Sequence, residues 1–289
     1  MTFTWTEIRQ NNLKTSLLFF VFFGLIAAIS TVLGLMFNSL ALGWSIGLIL
    51  FLAYGAFAYY RGSQMALSLN NAQKADERQY RQLHNIVEEL SIAASLPKPD
   101  VYIINEDAPN AFATGMNPDQ SAVAVTTGLL NIMDRDEVSG VIAHELAHIE
   151  SRDTKTMLIA GVLVGSIVIL ADIIFHASLF GGNDRGNWVY LIVGILASML
   201  APLIAQIIKL AVSRKREYAA DAKAAQYTRN PEGLASALEK LGSTTKKMDH
   251  ANRSLNHLYI NSELDGSFFN NLFSTHPPIE DRVKRLRDL

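Results

Sequence analysis

One short stretch of the 289-residue sequence has residue types and spacing that could do chemistry: His144-Glu145-Leu146-Ala147-His148, of the form H-E-x-x-H. On a helix, residues four apart lie one above the other on a single face. His144 and His148 can therefore offer two imidazole nitrogens to one metal ion. Glu145, about 100° round the helix, can take a proton from a water beside that ion. Two neutral ligands leave zinc electrophilic and the carboxylate supplies a base, so the pattern points to metal-assisted hydrolysis. A histidine pair on a helix is more often surface decoration, but the flanks here favour a buried helix. Asp134 stands where an N-cap belongs, Asp136 and Glu137 follow in the first turn, and Val138, Val141, Ile142, Leu146 and Ile149 recur at helical spacing.

Catalytic zinc usually takes three protein ligands and keeps one open position. The candidate third ligand is Glu217, in Arg216-Glu217-Tyr218-Ala219-Ala220-Asp221, and Asp221 shares its helical face one turn on. Asp221 is then placed to orient a ligand imidazole. The plainer alternative is an acidic face that pairs with Arg214, Lys215 and Arg216.

The elements that must position these residues read as membrane structure. Hydrophobic residues make up 49%, charged residues 18%, and the mean hydropathy is +0.18. A net charge of −2 gives no reason to expect nucleic acid as a partner. The absence of cysteine excludes disulfides, thiolate zinc sites and a cysteine nucleophile. Leu17–Phe37 and Leu40–Tyr60 are apolar runs of about 20 residues, enough to cross a bilayer, joined so closely that they form a hairpin. Asn70 to Leu96 reads as one amphipathic helix, with Tyr80, Leu83, Ile86, Val87, Leu90 and either Ile92 or Ala94 on its apolar side. Three strands follow, at 101–104, 111–114 and 122–126, separated by Pro-, Asn- and Gly-bearing turns.

Met157–Phe175 and Trp188–Val212 make a second, less pure hairpin, with Asp172, His176, Gln206 and Lys209 in or near it. The expected fold is a mainly α (α+β) membrane protein. Four transmembrane helices in two hairpins carry a zincin-like catalytic domain, of the gluzincin type, with a small β-sheet. The divisions are 1–16, 17–60, 61–156, 157–212 and 213–289, the second and fourth being hairpins. Arg9, Lys14, Arg61, Lys74, Arg152, Lys155 and Arg214 to Arg216 all flank one side, whereas the hairpin loops hold only Arg185. Both termini and the catalytic parts should therefore be cytoplasmic. The H-E-x-x-H helix precedes the third span and Glu217 follows the fourth. An antiparallel hairpin would bring their cytoplasmic ends together, with His148 some 12 Å of helix from Met157.

Over nearly its whole length the chain resembles the HtpX family of membrane zinc proteases, relatives of the CAAX prenyl proteases. The likeness rests on the two hairpins, Asn110-Ala111-Phe112-Ala113-Thr114-Gly115, the H-E-x-x-H stretch, Arg216 to Asp221, and Thr275-His276-Pro277-Pro278-Ile279-Glu280-Asp281-Arg282. The resemblance implies one zinc held by His144, His148 and Glu217, with Glu145 as catalytic base and Asp221 behind the ligands. It also implies a bacterial inner-membrane protease that cuts damaged membrane proteins. His276, stiffened by the two prolines, is the candidate donor to the oxyanion. Asn110, Ala111, Phe112 and Ala113 are the candidate edge strand for pairing with extended substrate, although an ordinary sheet strand would look the same. The polar tract 246–271, with His250 and His257, reads as a mobile cover.

Two rivals stand beside this. A site-2-type intramembrane protease would use Leu264-Asp265-Gly266, but the H-E-x-x-H is ringed by Asp134, Asp136, Glu137, Glu150, Arg152 and Asp153, which belong outside the bilayer. A non-catalytic zinc-binding scaffold or holdase would leave Glu145 without a duty.

Overall fold

The computed structural model describes residues 2–36, 38–161, 214–244 and 277–289. The chain begins with two long helices, α1 (Thr2–Met36) and α2 (Leu40–Leu69), packed side by side. They reverse at Asn38, which takes a left-handed φ of 51°, and Ser39 caps α2 through its side chain on Leu42 N–H. The helices touch at Gly43, where an added Cβ would collide with the backbone of Gly34, so the approach requires glycine. Leu48, Ile49, Leu52 and Tyr60 are exposed on α2. Among the described residues α2 is the one helix long and apolar enough to cross a membrane. The third and fourth apolar runs, with Asp172, His176, Gln206 and Lys209, fall outside the described residues, as does the tract 246–271.

The single helix expected over Asn70 to Leu96 is instead three pieces. Helix α2 runs on to Leu69 and stops at Asn70, because Asn71 adopts a φ of 51°. Strand β1 (Gln73–Lys74) follows. Asp76 then accepts backbone N–H bonds from Arg78 and Gln79, closing a turn that delays α3 to Arg81–Ala93. Leu83, Ile86, Val87, Leu90 and Ala94 point inward, and Ile92 is the residue left outside.

Strands β2 (Asp100–Ile104), β3 (Ala111–Gly115) and β4 (Ser121–Thr126) occupy the places expected, and β1 makes the sheet four-stranded in the order β1-β2-β4-β3. The β2–β4 pair is parallel and the others antiparallel. Alternation along the strands loads both faces. Val101, Ile103, Ala111, Ala113, Val123 and Val125 join one apolar core with α3 and the H-E-x-x-H helix. Ile104, Phe112, Ala122 and Ala124 join a second core with Leu18, Phe22, Ala66 and Leu67 of the hairpin. The sheet is thus the layer between the foot of the hairpin and the site.

After a short α4 (Thr127–Ile132), the H-E-x-x-H helix α5 runs Arg135–Glu150. Its start is a capping box: Asp134 accepts from Glu137 N–H at 3.0 Å and Glu137 accepts from Asp134 N–H at 2.8 Å. The helix does not continue into the third apolar run. Arg152 takes a φ of 58° and breaks it, and a new helix α6 spans 153–161. The 12 Å of helix expected between His148 and Met157 is therefore interrupted by a turn at 151–152. Helices α7 (Arg214–Thr228), α8 (Pro231–Ser243) and α9 (Ile279–Arg287) close over α5. At Gly140 an added Cβ would stand 2.6 Å from Leu234 N of α8, which fixes how closely those two helices meet.

Candidate metal centre

Helix α5 presents His144 and His148 on one face, and α7 presents Glu217 against them. All three are buried, with exposures of 1%, 5% and 0%. The two Nε2 atoms lie 3.1 Å apart, and each is 3.6 Å from one oxygen of Glu217. One ligand atom from each of the three lies within 4.8 Å of the others.

The imidazole orientation follows from what stands behind each ring. His144 Nδ1 is 3.0 Å from Asp221 Oδ1, and His148 Nδ1 is 3.0 Å from Asp153 Oδ2. A carboxylate only accepts, so in each neutral ring Nδ1–H donates and the Nε2 lone pair faces the gap. Two nitrogen lone pairs and a carboxylate then converge on one buried point. Acceptors so close repel unless a cation lies between them, and the N, N, O donor set suits zinc. Burial opposes a charged His144, but hydrogen bonds to Asp221 and Glu217 more than offset it and push its pKa up to about 9.

Asp221 is itself gripped. Arg282 of α9 donates from Nε to Oδ2 at 2.9 Å and from an Nη to Oδ1 at 2.7 Å, a forked pair that is almost wholly buried. Burial would raise the Asp221 pKa, yet the guanidinium holds it down at about 2. Asp153 is held comparably: burial acts to raise its pKa, and His148 and Arg216 more than compensate and lower it. Arg216 donates to Asp153 Oδ1 at 2.6 Å. Each ligand histidine thus has a carboxylate, and each carboxylate an arginine.

Glu145 is 3% exposed. Burial pushes its pKa up; the nearby histidines and the Ala113 N–H act to lower it, and Glu217 adds to the rise. A carboxyl raised toward neutrality can both take and return a proton. The Ala113 contact brings β3 beside Glu145. Strand β3 is the end strand of the sheet, paired with β4 in the register Ala111↔Val125 and Ala113↔Val123. Asn110, Ala111, Phe112 and Ala113 are themselves buried: the last three side chains serve the cores, and Asn110 Oδ1 accepts from Ala111 N–H at 2.9 Å.

His144, Glu145, His148, Glu217 and Asp221 therefore lie together, while His276 and Leu264-Asp265-Gly266 fall outside the described residues. Sequence reasoning missed Asp153, Arg216 and Arg282. Asp153 had been counted only among the charges flanking the motif. Arg282 sits on a short basic helix, where it shares the buried face with the apolar Val283 and Leu286.

The profile of peptidase family M48 matches residues 77–289. A protease HtpX homolog of Thermoanaerobacter pseudethanolicus is 43% identical over 99% of this chain and 98% of its own length. Another, of Streptococcus uberis, is 39% identical over 99% of both chains. Among solved structures, the crystal structure of S. mikatae Ste24p aligns with a TM-score of 0.53 at 18% identity, covering 99% of this chain and 67% of that one, a likeness of fold.

Proposed function

The chain belongs to peptidase family M48 and is a metalloprotease, and from that premise we propose a zinc-dependent endopeptidase of the bacterial inner membrane. It cuts misfolded or damaged membrane proteins at a cytoplasmic-side site. The observation that carries this is the convergence of His144 Nε2, His148 Nε2 and the Glu217 carboxylate on one buried point beside Glu145.

His144, His148 and Glu217 would hold one zinc ion per chain. Bound there, zinc would supply Lewis acidity toward a scissile carbonyl and the attacking water. Glu145 takes the proton from that water and delivers it to the leaving amine nitrogen. Asp221 and Asp153 keep both imidazole rings oriented throughout, through Nδ1. The outer edge of Asn110 to Ala113 pairs with extended substrate, and reading main chain in this way tolerates many sequences. His276 donates to the oxyanion. In support, Arg282 of the same C-terminal segment reaches the centre.

We place the divisions at 1–16, 17–60, 61–156, 157–212 and 213–289, with four spans and both termini cytoplasmic. Supporting this orientation, Arg9 and Lys14 lie near the start of α1 and Arg61 near the end of α2, the end of the hairpin that meets the sheet. Because the chain lacks cysteine, single cysteines at Asn38 and Asp288 can be labelled from either side of sealed vesicles. The proposal predicts opposite accessibility, and labelling from the same side would reject the topology. For the activity, chelation should abolish cleavage of an unfolded membrane protein and zinc should restore it. Cleavage unaffected by chelation would reject zinc dependence.

A further inference from the structure

We infer that Asn11, in the polar foot of the first helix, is a positioning residue for the metal centre, acting on His148 through Asp153. The inference rests on the reading of His144, His148 and Glu217 as the metal ligands.

Asn11 is 2% exposed although it lies on a stretch of mostly polar residues. Its amide nitrogen donates to Asp153 Oδ1 at 2.7 Å and to the Ser151 carbonyl at 2.8 Å. Its carbonyl oxygen accepts from Arg216 at 3.1 Å, from the nitrogen that also reaches Asp153 Oδ1. Both amide hydrogens and the carbonyl are thus engaged, and these partners admit one orientation of the amide. Asp153 Oδ1 receives two donors, which leaves Oδ2 to hold His148 Nδ1 at 3.0 Å. Asp153 and Ser151 flank the left-handed Arg152, where α5 ends and α6 begins. Asn11 therefore clamps the turn that carries the carboxylate as well as the carboxylate itself.

The rest of that helix face explains how the amide arrives. Asn11, Thr15, Leu18 and Phe22 recur at helical spacing and are all buried. Thr15 meets Thr156 of α6 at 3.1 Å, while Leu18 and Phe22 enter the core beneath the sheet. Apolar packing sets the height of α1, and Asn11 uses that height to fix a ligand far away in sequence. On this account the first hairpin is part of the metal site, as well as an anchor.

The test is zinc affinity of the full-length chain in detergent micelles, by competition with a chromophoric chelator, with thermal unfolding of the same samples. Asp153→Asn should weaken zinc about 10- to 100-fold, the usual effect of losing a ligand's carboxylate partner. Asn11→Leu, which keeps the branched side-chain shape and removes both the donors and the acceptor, should weaken it about 10-fold, and the double variant should be no worse than Asp153→Asn alone. Thr15→Val keeps the side-chain shape and removes only the buried hydrogen bond to Thr156, so it should lower the unfolding temperature and leave zinc affinity unchanged. If Asn11→Leu does not yield folded protein, Asn11→Ser carries the same test, because a hydroxyl cannot span all three partners. Wild-type affinity in the Asn11 variant, or losses that multiply in the double variant, would overturn the inference. A wild-type chain that binds no zinc would instead sink the metal-site reading beneath it.

Discussion

Replacing Arg282 by methionine isolates what holds His144 from behind. The exchange keeps a long side chain in a site that is 1% exposed, so the chief change is loss of the cation. Asp221, 4% exposed, would then keep its carboxylate without the forked pair at 2.7 and 2.9 Å. Breaking a buried pair from one side costs roughly 3–5 kcal/mol, because a buried charge is left uncompensated. In a chain of this size that corresponds to a fall of about 10 °C in unfolding temperature. The Asp221 pKa would then rise toward neutrality, since burial pushes it up and Arg282 is the largest of the groups, with His144, that hold it down at about 2. A protonated carboxyl is a poorer acceptor for His144 Nδ1–H, so zinc affinity should fall about 10- to 100-fold as well. The assay is thermal unfolding and zinc competition on Arg282→Met, Asp221→Asn and the double variant. Asp221→Asn removes the charge that Arg282 was compensating, so the double variant should recover stability relative to Arg282→Met. Additive losses would refute the reasoning, since they would mean the two residues act separately.

With His144 raised to about 9, protons compete with the metal below that pH: zinc affinity should rise about tenfold per pH unit from 7 toward 9. A flat profile in chelator competition would contradict this. In the metal-stripped chain the sign reverses. The stabilisation from charged His144 is complete below its unfolded value near 6.5 and is lost as pH rises through about 9, so the unfolding temperature should fall over that interval. Gly140→Ala gains about 1 kcal/mol of helix propensity. It nevertheless drives a Cβ against Leu234 N, which is backbone and cannot turn aside, so a net loss of about 1–3 kcal/mol is expected in thermal unfolding.

What was legible in the sequence is what short spacing encodes. His144, Glu145 and His148 lie within one helical turn, Asp134 and Glu137 form their capping box within four residues, and Glu217 and Asp221 share a face. The strands were visible because short, mostly apolar segments are bounded there by turn residues. What was not legible depends on distant partners. Asn11 meets Asp153 across 142 positions and Arg282 meets His144 across 138, and no local pattern records such meetings. The error over Asn70 to Leu96 has a different origin. Its apolar spacing is helical only from Tyr80 on, and a left-handed Asn71 and a side-chain turn at Asp76 shape the polar part before it. The break at Arg152 was hidden similarly, because a non-glycine residue takes the positive φ.

The most direct measurement is zinc content and cleavage of an unfolded membrane protein by the purified chain, comparing wild type with Glu145→Gln and Glu217→Ala. The account predicts that Glu145→Gln keeps its zinc and loses cleavage, because the carboxylate moves a proton and holds no metal, and that Glu217→Ala loses both. Glu217→Ala retaining zinc and activity, or Glu145→Gln still cutting, would contradict it.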